Sequence, residues 1–134
     1  MNLFDSTVSF LGRVLDLSSA RHEILAGNIA NADTPGYRGV DLVFEDEMRE
    51  AVSSTRGTGL ARTHSKHLPA MDSFNAVVGH IEATPAAIMG NDRNSVSIEH
   101  DMAKLAENSL LYETAVQALT KKFRGLMEAI QEGR

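Results

Sequence analysis

Residues 25–44, LAGNIANADTPGYRGVDLVF, run from the end of an amphipathic helix into a turn rich in Asn and Asp. Pro35 and Gly36 suit the second and third positions of a type II turn, where glycine accepts a positive φ. Asn31 and Asp33 can cap backbone groups beside that turn. The stretch holds no nucleophile, metal motif or phosphate-binding loop. It predicts a sharp helix end after which the chain continues in a fixed direction.

The residues before this turn, from about 5 to 30, have the apolar spacing of a long helix. One seam alternates steps of four and three, as in a coiled coil, and a second seam lies beside it. Together they make an apolar face wider than one partner helix covers. Gly12 and Gly27 each cost about 1 kcal/mol relative to Ala, so they either permit a close neighbour or are simply tolerated. The first seam is Phe4, Val8, Leu11, Leu15, Ser18, His22, Leu25 and Ile29, and the second is Leu3, Phe10, Val14, Leu17 and Ile24.

The last third of the chain predicts a second long helix, with Ser97 as its N-cap and with Glu99 and Asp101 in the first turn, where the helix dipole favours negative charge. About 33 helical residues span roughly 50 Å, more than a compact domain of this size needs. A strip of small residues beside the apolar seam suits close packing of another helix. The seam is Ile98, Met102, Leu105, Ser109, Tyr112, Val116, Leu119, Phe123, Leu126 and Ile130, and the strip is Ala115, Ala118, Gly125 and Ala129.

The middle of the chain is weakly patterned. Phe44, Met48 and Val52 fit one side of a short helix, and Val77, Val78 and Ile81 fit a short strand. We therefore predict a mainly α fold. Its long N- and C-terminal helices pair as a coiled-coil-like hairpin, joined by an irregular middle with a short helix and a short β element. The predicted parts of this one domain are residues 1–37, 38–96 and 97–134.

The two predicted helices carry more apolar side chain than a two-helix hairpin can bury. Burial of apolar surface is the main force that offsets the loss of chain entropy on folding. We therefore expect a chain that is loose alone and becomes firm when it packs against copies or relatives of itself.

Composition excludes several classes of function. The 134 residues include 13 basic and 18 acidic side chains, a net charge of −5 that argues against nucleic-acid binding. There is no cysteine, so neither disulfides nor thiolate metal sites are available. The N-terminus lacks the features of a Sec-type signal peptide, and no apolar run is long enough to span a membrane. We expect either a cytosolic chain or one exported with its N-terminus intact.

Candidate chemistry is sparse. His64 and His67 are spaced like metal ligands, but metal sites usually need three or four ligands on rigid elements, so a solvated loop is favoured. The acidic run EDEMRE, residues 45–50, has no apolar surroundings to raise a carboxyl pKa and predicts a solvated helix face. His22 lies on the first seam, where packing is favoured over a proton switch. The sequence predicts no enzyme, no cofactor and no metal site.

The motif NIANADTPGY and the acidic-apolar residues after it resemble the N-terminal signature of the bacterial flagellar rod and hook proteins, and most closely that of the proximal rod subunits. The C-terminal stretch DMAKLAENSLLYETAVQALTKKFRGLMEAI is similar to the final helix of those subunits. The resemblance covers roughly residues 3–50 and 92–131 and hardly touches the middle. Gly27 stands where the family often has Asn.

The resemblance implies a structural subunit of the flagellar basal-body rod, the drive shaft that crosses the periplasm. It implies export by the flagellar type III apparatus without signal cleavage, and self-association in a hollow helical tube. The implied partners are other rod subunits, the rod-base adaptor and MS ring, and the export gate. Neither nucleic-acid binding nor membrane insertion is implied. The resemblance also implies that the turn after the first helix makes specific contacts in the assembled rod, as an assembly turn.

Three sets of residues follow as expectations. Helix pairing and subunit contacts are assigned to Leu11, Leu15, Leu25, Ile29, Met102, Leu105, Tyr112, Val116, Leu119, Phe123 and Leu126. The assembly turn is assigned to Asn28, Asn31, Asp33, Thr34, Pro35, Gly36 and Tyr37. Recognition by the export apparatus is assigned to Phe4 and Val8. An alternative from another class is a cytosolic helical adaptor or chaperone, which predicts a soluble dimer of discrete mass.

Overall fold

The computed structural model describes residues 6–56, 74–84 and 93–132. Long helices form both ends of this part of the chain, and a short helix and a small sheet lie between them. The predicted mainly α fold is confirmed, including the short middle helix and the β element. In chain order the elements are α1 (Ser6–Ala30), β1 (Val40–Val43), α2 (Glu45–Arg56), β2 (His80–Ala83) and α3 (Ile98–Glu132).

The two long helices pack against each other in antiparallel orientation. The Asn108 side-chain amide donates to the Ser18 carbonyl at 2.8 Å, while the chain just before α3 contacts the chain just after α1. Residue 18 lies opposite residue 108. Because the helices are antiparallel, Ser6, twelve residues before residue 18, lies opposite residue 120, twelve residues after residue 108. Residues 121–132 of α3 therefore extend about 18 Å beyond the described start of α1, at a rise of about 1.5 Å per residue.

The sheet has two short antiparallel strands, with Val40 opposite Ala83 and Val43 opposite His80. Ile81 lies in β2 as predicted, whereas Val77 and Val78 precede the strand. All four β2 residues are exposed, so the strand forms one edge of the molecule.

The core lies between α1 and the middle of the chain. Phe44 and Met48 are buried and Val52 is half-buried, which confirms that these three share one side of a short helix and its entry. The rings of Phe10 and Phe74 meet edge to face, with centroids 5.3 Å apart. The buried apolar core consists of Val14, Leu17, Leu42, Phe44, Met48, Ala51, Phe74, Val77 and Ala115.

The described residues of the second α1 seam are thus covered by the same molecule. Phe10, Val14, Leu17 and Ile24 all belong to that seam, and all lie in or against the core. The two seams predict cover by neighbouring molecules, because the sequence of the middle segment is only weakly patterned. The sheet, α2 and the chain around Phe74 provide that cover instead.

Candidate assembly site

The turn after α1 has the predicted geometry. Gly36 has a φ of +74°, and the Tyr37 N–H donates to the Thr34 carbonyl at 3.2 Å, as expected for a type II turn with Pro35 and Gly36 at its centre. The Asn31 side chain caps the helix end by donating to the Gly27 carbonyl at 2.8 Å. Asp33 is exposed and makes no hydrogen bond with the described residues.

Asn28 fixes the direction of the chain after the turn. Its side chain is almost fully buried, with 1% of the residue exposed. The Asn28 Nδ2 donates to the Val40 carbonyl at 2.7 Å, and its Oδ1 accepts from the Val40 N–H at 3.2 Å. The Tyr37 hydroxyl lies 3.5 Å from the same Oδ1. Asn28 therefore holds the start of β1 against α1, with both hydrogen-bonding groups of its amide in use.

Asn94 holds the turn from the other side. Its Nδ2 lies 3.0, 2.6 and 3.0 Å from the carbonyl oxygens of Asn31, Ala32 and Thr34. Its Oδ1 accepts from the Val96 N–H at 2.8 Å. Helix C-termini leave carbonyls without intrahelical partners, and here one buried amide satisfies carbonyls along the exit of α1. Sequence reasoning missed Asn94, because its segment showed only turn residues.

Ser95 and Gly39 complete this joint. The Ser95 hydroxyl accepts from the Gly39 N–H at 2.9 Å, and the Ser95 N–H donates to the Tyr37 carbonyl at 3.1 Å. A Cβ atom on Gly39 would lie 3.0 Å from Thr84 Oγ1 and 3.1 Å from Val96 Cγ2. The ends of the two long helices are thus joined by backbone and side-chain bonds within one molecule. We call the segments 28–41 and 94–97 together the helix joint.

An ion cluster is centred on Asp41, the last residue of the first segment of the helix joint. Arg21 in α1 donates through Nε and Nη2 to both carboxylate oxygens of Asp41, at 2.8 and 2.9 Å, and through Nη1 to Glu45 at 2.6 Å. Lys104 in α3 reaches Asp41 Oδ2 at 2.9 Å. Asp41 therefore ties α1, β1 and α3 together. Neither Arg21 nor Asp41 was singled out from the sequence, because the pair is 20 residues apart and follows no helical spacing.

The hydrogen bonds of this cluster determine how Asp41 titrates. Burial alone raises its pKa, but the hydrogen bonds from Arg21 and Lys104 outweigh burial and lower the pKa below its usual value. The pKa of Arg21 is raised, chiefly by its hydrogen bond to Asp41. Both side chains are mostly buried, with 10% of the Asp41 side chain and 14% of the Arg21 side chain exposed. The Arg21–Asp41 pair is therefore ionised at neutral pH.

The fully buried residues on the face that α3 presents to α1 are polar or small. Asp101, Asn108 and Ala115 are spaced seven residues apart and are its buried residues. Asp101, expected only as a first-turn partner of the helix dipole, is 2% exposed, and burial raises its pKa. Ala115 is the first member of the predicted small-residue strip, and it alone of that strip is buried.

The predicted pairing residues therefore divide into two groups. Met102, Tyr112, Val116 and Phe123 were assigned to helix pairing and subunit contacts, and 38–55% of each is exposed, so this part of the α3 seam is not covered by α1. Leu110, Met127 and Ile130 are also exposed, each by 59–66%. Of the remaining predicted residues, Leu25 is buried, and Leu11, Leu15, Ile29, Leu105, Leu119 and Leu126 are half-buried.

The other predicted positions are placed as follows. In the turn, Asn28 is buried, Asn31 and Tyr37 are half-buried, and the residues from Asp33 to Gly36 are exposed. Val8 is half-buried in α1, and Phe4 lies outside the described residues. His64 and His67 also lie outside them. His22, expected in packing, is exposed.

Two carboxyls of the acidic run 45–50, those of Glu45 and Glu47, have lowered pKa values. The pKa of Glu47 is lowered by its hydrogen bond with His80 and by the Gly79 N–H. Burial raises the pKa of Glu45, but backbone hydrogen bonds and Arg21 outweigh it and lower the pKa. No group of three or more His, Asp or Glu within residues 6–56, 74–84 and 93–132 could hold a metal ion. None of the helices in that part of the chain combines the length and the hydropathy needed to cross a membrane.

Comparison with known proteins gives consistent matches. A sequence model of the family described as flagella basal body rod protein matches residues 15–38, which hold the end of α1 and the turn. The flagellar basal body rod protein FlgB of Salmonella typhimurium strain LT2 is 33% identical over 137 aligned positions, which cover 99% of each chain. FlgB of Escherichia coli K12 is 30% identical with the same coverage. FlgB of Borrelia hermsii is 33% identical over 128 positions, covering 88% of this chain and 92% of its own.

Proposed function

Since the chain belongs to the flagella basal body rod protein family and is a structural subunit of the flagellar basal-body rod, we propose that it forms part of the proximal rod. There it helps to build the hollow drive shaft that transmits torque and lets exported subunits pass. The alternative of a cytosolic adaptor or chaperone finds no support, because these relatives are rod proteins along nearly the whole chain.

The observation that carries this proposal is the difference between the buried and the exposed residues of α3. In the described part of α3 the buried residues are Asp101, Asn108 and Ala115, while most of the large apolar side chains of the seam are exposed. Exposed apolar side chains gathered on one element indicate a protein contact surface. We call the exposed residues Met102, Tyr112, Val116, Phe123, Met127 and Ile130 the outer α3 face. In the rod this face packs against neighbouring subunits.

The helix joint has a mechanical role in this proposal. The side chains of Asn28 and Asn94 hold the angle between the helix pair and the sheet within one molecule. The exposed tip of the turn, from Asp33 to Gly36, remains available to a neighbour. The assembly turn thus acts in two ways, as a rigid internal joint and as an outward contact.

The finer details extend the same proposal. The partners are other rod subunits, the rod-base adaptor and MS ring, and the type III export gate. The chain reaches the periplasmic rod without signal cleavage, Phe4 and Val8 contribute to its recognition for export, and it neither binds nucleic acid nor inserts into a membrane. It acts as a structural element and not as an enzyme, in keeping with the relatives, which are named as rod proteins.

The outer α3 face provides the test. In a bacterium lacking its own copy, Phe123→Asp is compared with Gln117→Asp, an exposed polar position on the same helix. Both isolated variants are expected to unfold within about 0.5 kcal/mol of the unchanged chain, since neither position is buried. We expect Phe123→Asp to abolish motility and rod formation, because it places a charge in an apolar contact, and Gln117→Asp to preserve both. Normal rods with Phe123→Asp would contradict the proposal.

A further inference from the structure

The methionines that the structure describes differ sharply in exposure. Met102 is 55% exposed and Met127 is 59% exposed, whereas Met48 is 4% exposed and belongs to the apolar core. An oxidant in solution therefore has access to Met102 and Met127 but not to Met48. The remaining methionines, which lie outside the described residues, are Met1, Met71 and Met89.

Met102 and Met127 lie on the same side of α3. They are 25 residues apart, which is about seven turns of an α-helix, so their side chains leave the helix in nearly the same direction. Both belong to the outer α3 face, one near each end, with Tyr112, Val116 and Phe123 between them. A partner that covers the whole of this face packs against both thioethers.

The thioether group gives this face a chemistry that its other side chains lack. The chain has no cysteine, so methionine supplies its only sulfur atoms. In the reaction with hydrogen peroxide, the sulfur lone pair attacks one oxygen, an S–O bond forms and the O–O bond breaks. A proton then passes from the new S–OH group to the departing hydroxide. The sulfur is oxidised to a sulfoxide, the peroxide is reduced to water, and methionine sulfoxide reductases restore the thioether.

Oxidation changes what the outer α3 face can pack against. Methionine is a flexible apolar side chain that fills gaps in packed contacts, whereas its sulfoxide is polar and chiral. The sulfoxide oxygen accepts hydrogen bonds, and an apolar contact supplies no donor for it. Burial of a polar group without a partner weakens association by about tenfold or more at each site.

We propose that Met102 and Met127 are redox-sensitive modification sites on the outer α3 face, oxidised by peroxides before assembly and protected after it. This inference rests on the proposed function, because oxidation blocks assembly only if the face is buried in the rod. A subunit that carries both sulfoxides stays outside the rod until its thioethers are restored. A subunit already in the rod keeps its thioethers, since neighbouring subunits cover them.

Mass spectrometry of peptides from the peroxide-treated protein measures the accessibility of each methionine. In the isolated chain we expect Met102 and Met127 to be oxidised about tenfold or more faster than Met48, because susceptibility follows exposure. In purified basal bodies we expect both to be oxidised as slowly as Met48. Equal rates for all three in the isolated chain would overturn the proposal.

Substitutions separate the chemistry from the packing. In a bacterium lacking its own copy, the leucine variant Met102→Leu/Met127→Leu keeps the apolar volume of the face without its sulfur. The glutamine variant Met102→Gln/Met127→Gln places a polar group of similar length at the same positions. Without peroxide we expect the leucine variant to form rods like the unchanged chain, and the glutamine variant to form about tenfold fewer or less.

Peroxide treatment before new rods form completes the test. We expect the unchanged chain to lose rod assembly and the leucine variant to keep it, although that variant retains the other four of the six methionines. Equal loss in both, normal rods with the glutamine variant, or no rods with the untreated leucine variant would overturn this inference alone. Absence of the unchanged chain from basal bodies, or oxidation of Met102 and Met127 there as fast as in the isolated chain, would instead refute the proposed function.

Discussion

Replacing Asn94 by Asp changes one buried amide nitrogen to an oxygen and tests whether the helix joint stabilises the isolated chain. The replacement keeps the acceptor that binds the Val96 N–H. It removes the donor that lies 2.6–3.0 Å from three carbonyl oxygens at the exit of α1. The ionised carboxylate then faces those oxygens without a hydrogen to share.

The magnitude follows from the contacts. Two amide hydrogens, each worth about 0.5–1.5 kcal/mol, give a loss of roughly 1–3 kcal/mol. An uncompensated buried charge raises the total to about 3–5 kcal/mol at neutral pH. Asn94 is 4% exposed, so little solvent screening reduces this cost. Because burial disfavours the charged form, we expect the pKa of the new carboxyl to be raised, so that its penalty applies above that pKa and decreases as the pH falls through it.

Urea unfolding followed by circular dichroism, at neutral and at acid pH, measures the effect. Asp33→Asn is the matched control, because Asp33 lies in the same turn but is exposed and makes no hydrogen bond with the described residues. We expect the control to stay within about 0.5 kcal/mol of the unchanged chain. Equal unfolding midpoints for Asn94→Asp and Asp33→Asn at neutral pH would refute the role given to Asn94.

Two further substitutions and one titration test other parts of the structure. Asp41→Asn should lower the free energy of unfolding by about 2–4 kcal/mol at neutral pH, since it leaves two basic side chains without their shared carboxylate. Because the folded-state pKa of Asp41 is lowered, urea unfolding should show the full loss above the unfolded-state pKa of this carboxyl. The loss should vanish as the pH falls through the folded-state pKa. Gly27→Ala should stabilise the isolated chain by about 0.5–1 kcal/mol in thermal unfolding, because an added Cβ meets nothing within 4 Å, so a loss of motility would locate a neighbouring subunit there. His80 lies between Glu47 and Glu82, whose hydrogen bonds raise its pKa. Its contacts with these carboxylates should be complete below the unfolded-state pKa of the imidazole and weaken as the pH rises through the folded-state pKa. Nuclear magnetic resonance titration of the ring measures the folded-state pKa.

The long helices and the turn could be predicted because their signals are local. The spacing of apolar residues in α1 and α3, and the Pro35-Gly36 pair, act through backbone preferences within a few residues. The structure agrees with these predictions to within one or two residues at the helix starts. The short middle helix was found for the same reason, since Phe44, Met48 and Val52 lie on one side of it.

The contacts that orient the elements could not be predicted, because they join residues far apart in the chain. Asn94 binds carbonyls about 60 residues earlier, and Lys104 binds Asp41 across 63 residues. The side of α3 that faces α1 could be predicted only in part. Periodicity favoured the apolar seam, whereas the structure buries Asp101 and Asn108, leaves Leu105, Leu119 and Leu126 half-buried, and exposes the other large apolar side chains of the seam. Apolar periodicity shows that a face will be covered, but it does not say whether the cover comes from the same molecule.

Electron cryo-microscopy of basal bodies from the source bacterium tests the central claim most directly, because it shows what contacts the outer α3 face. The account predicts that this chain lies in the rod wall and that helices of neighbouring subunits cover Val116, Phe123, Met127 and Ile130. A rod in which those side chains face solvent, or in which this chain is absent, would contradict it.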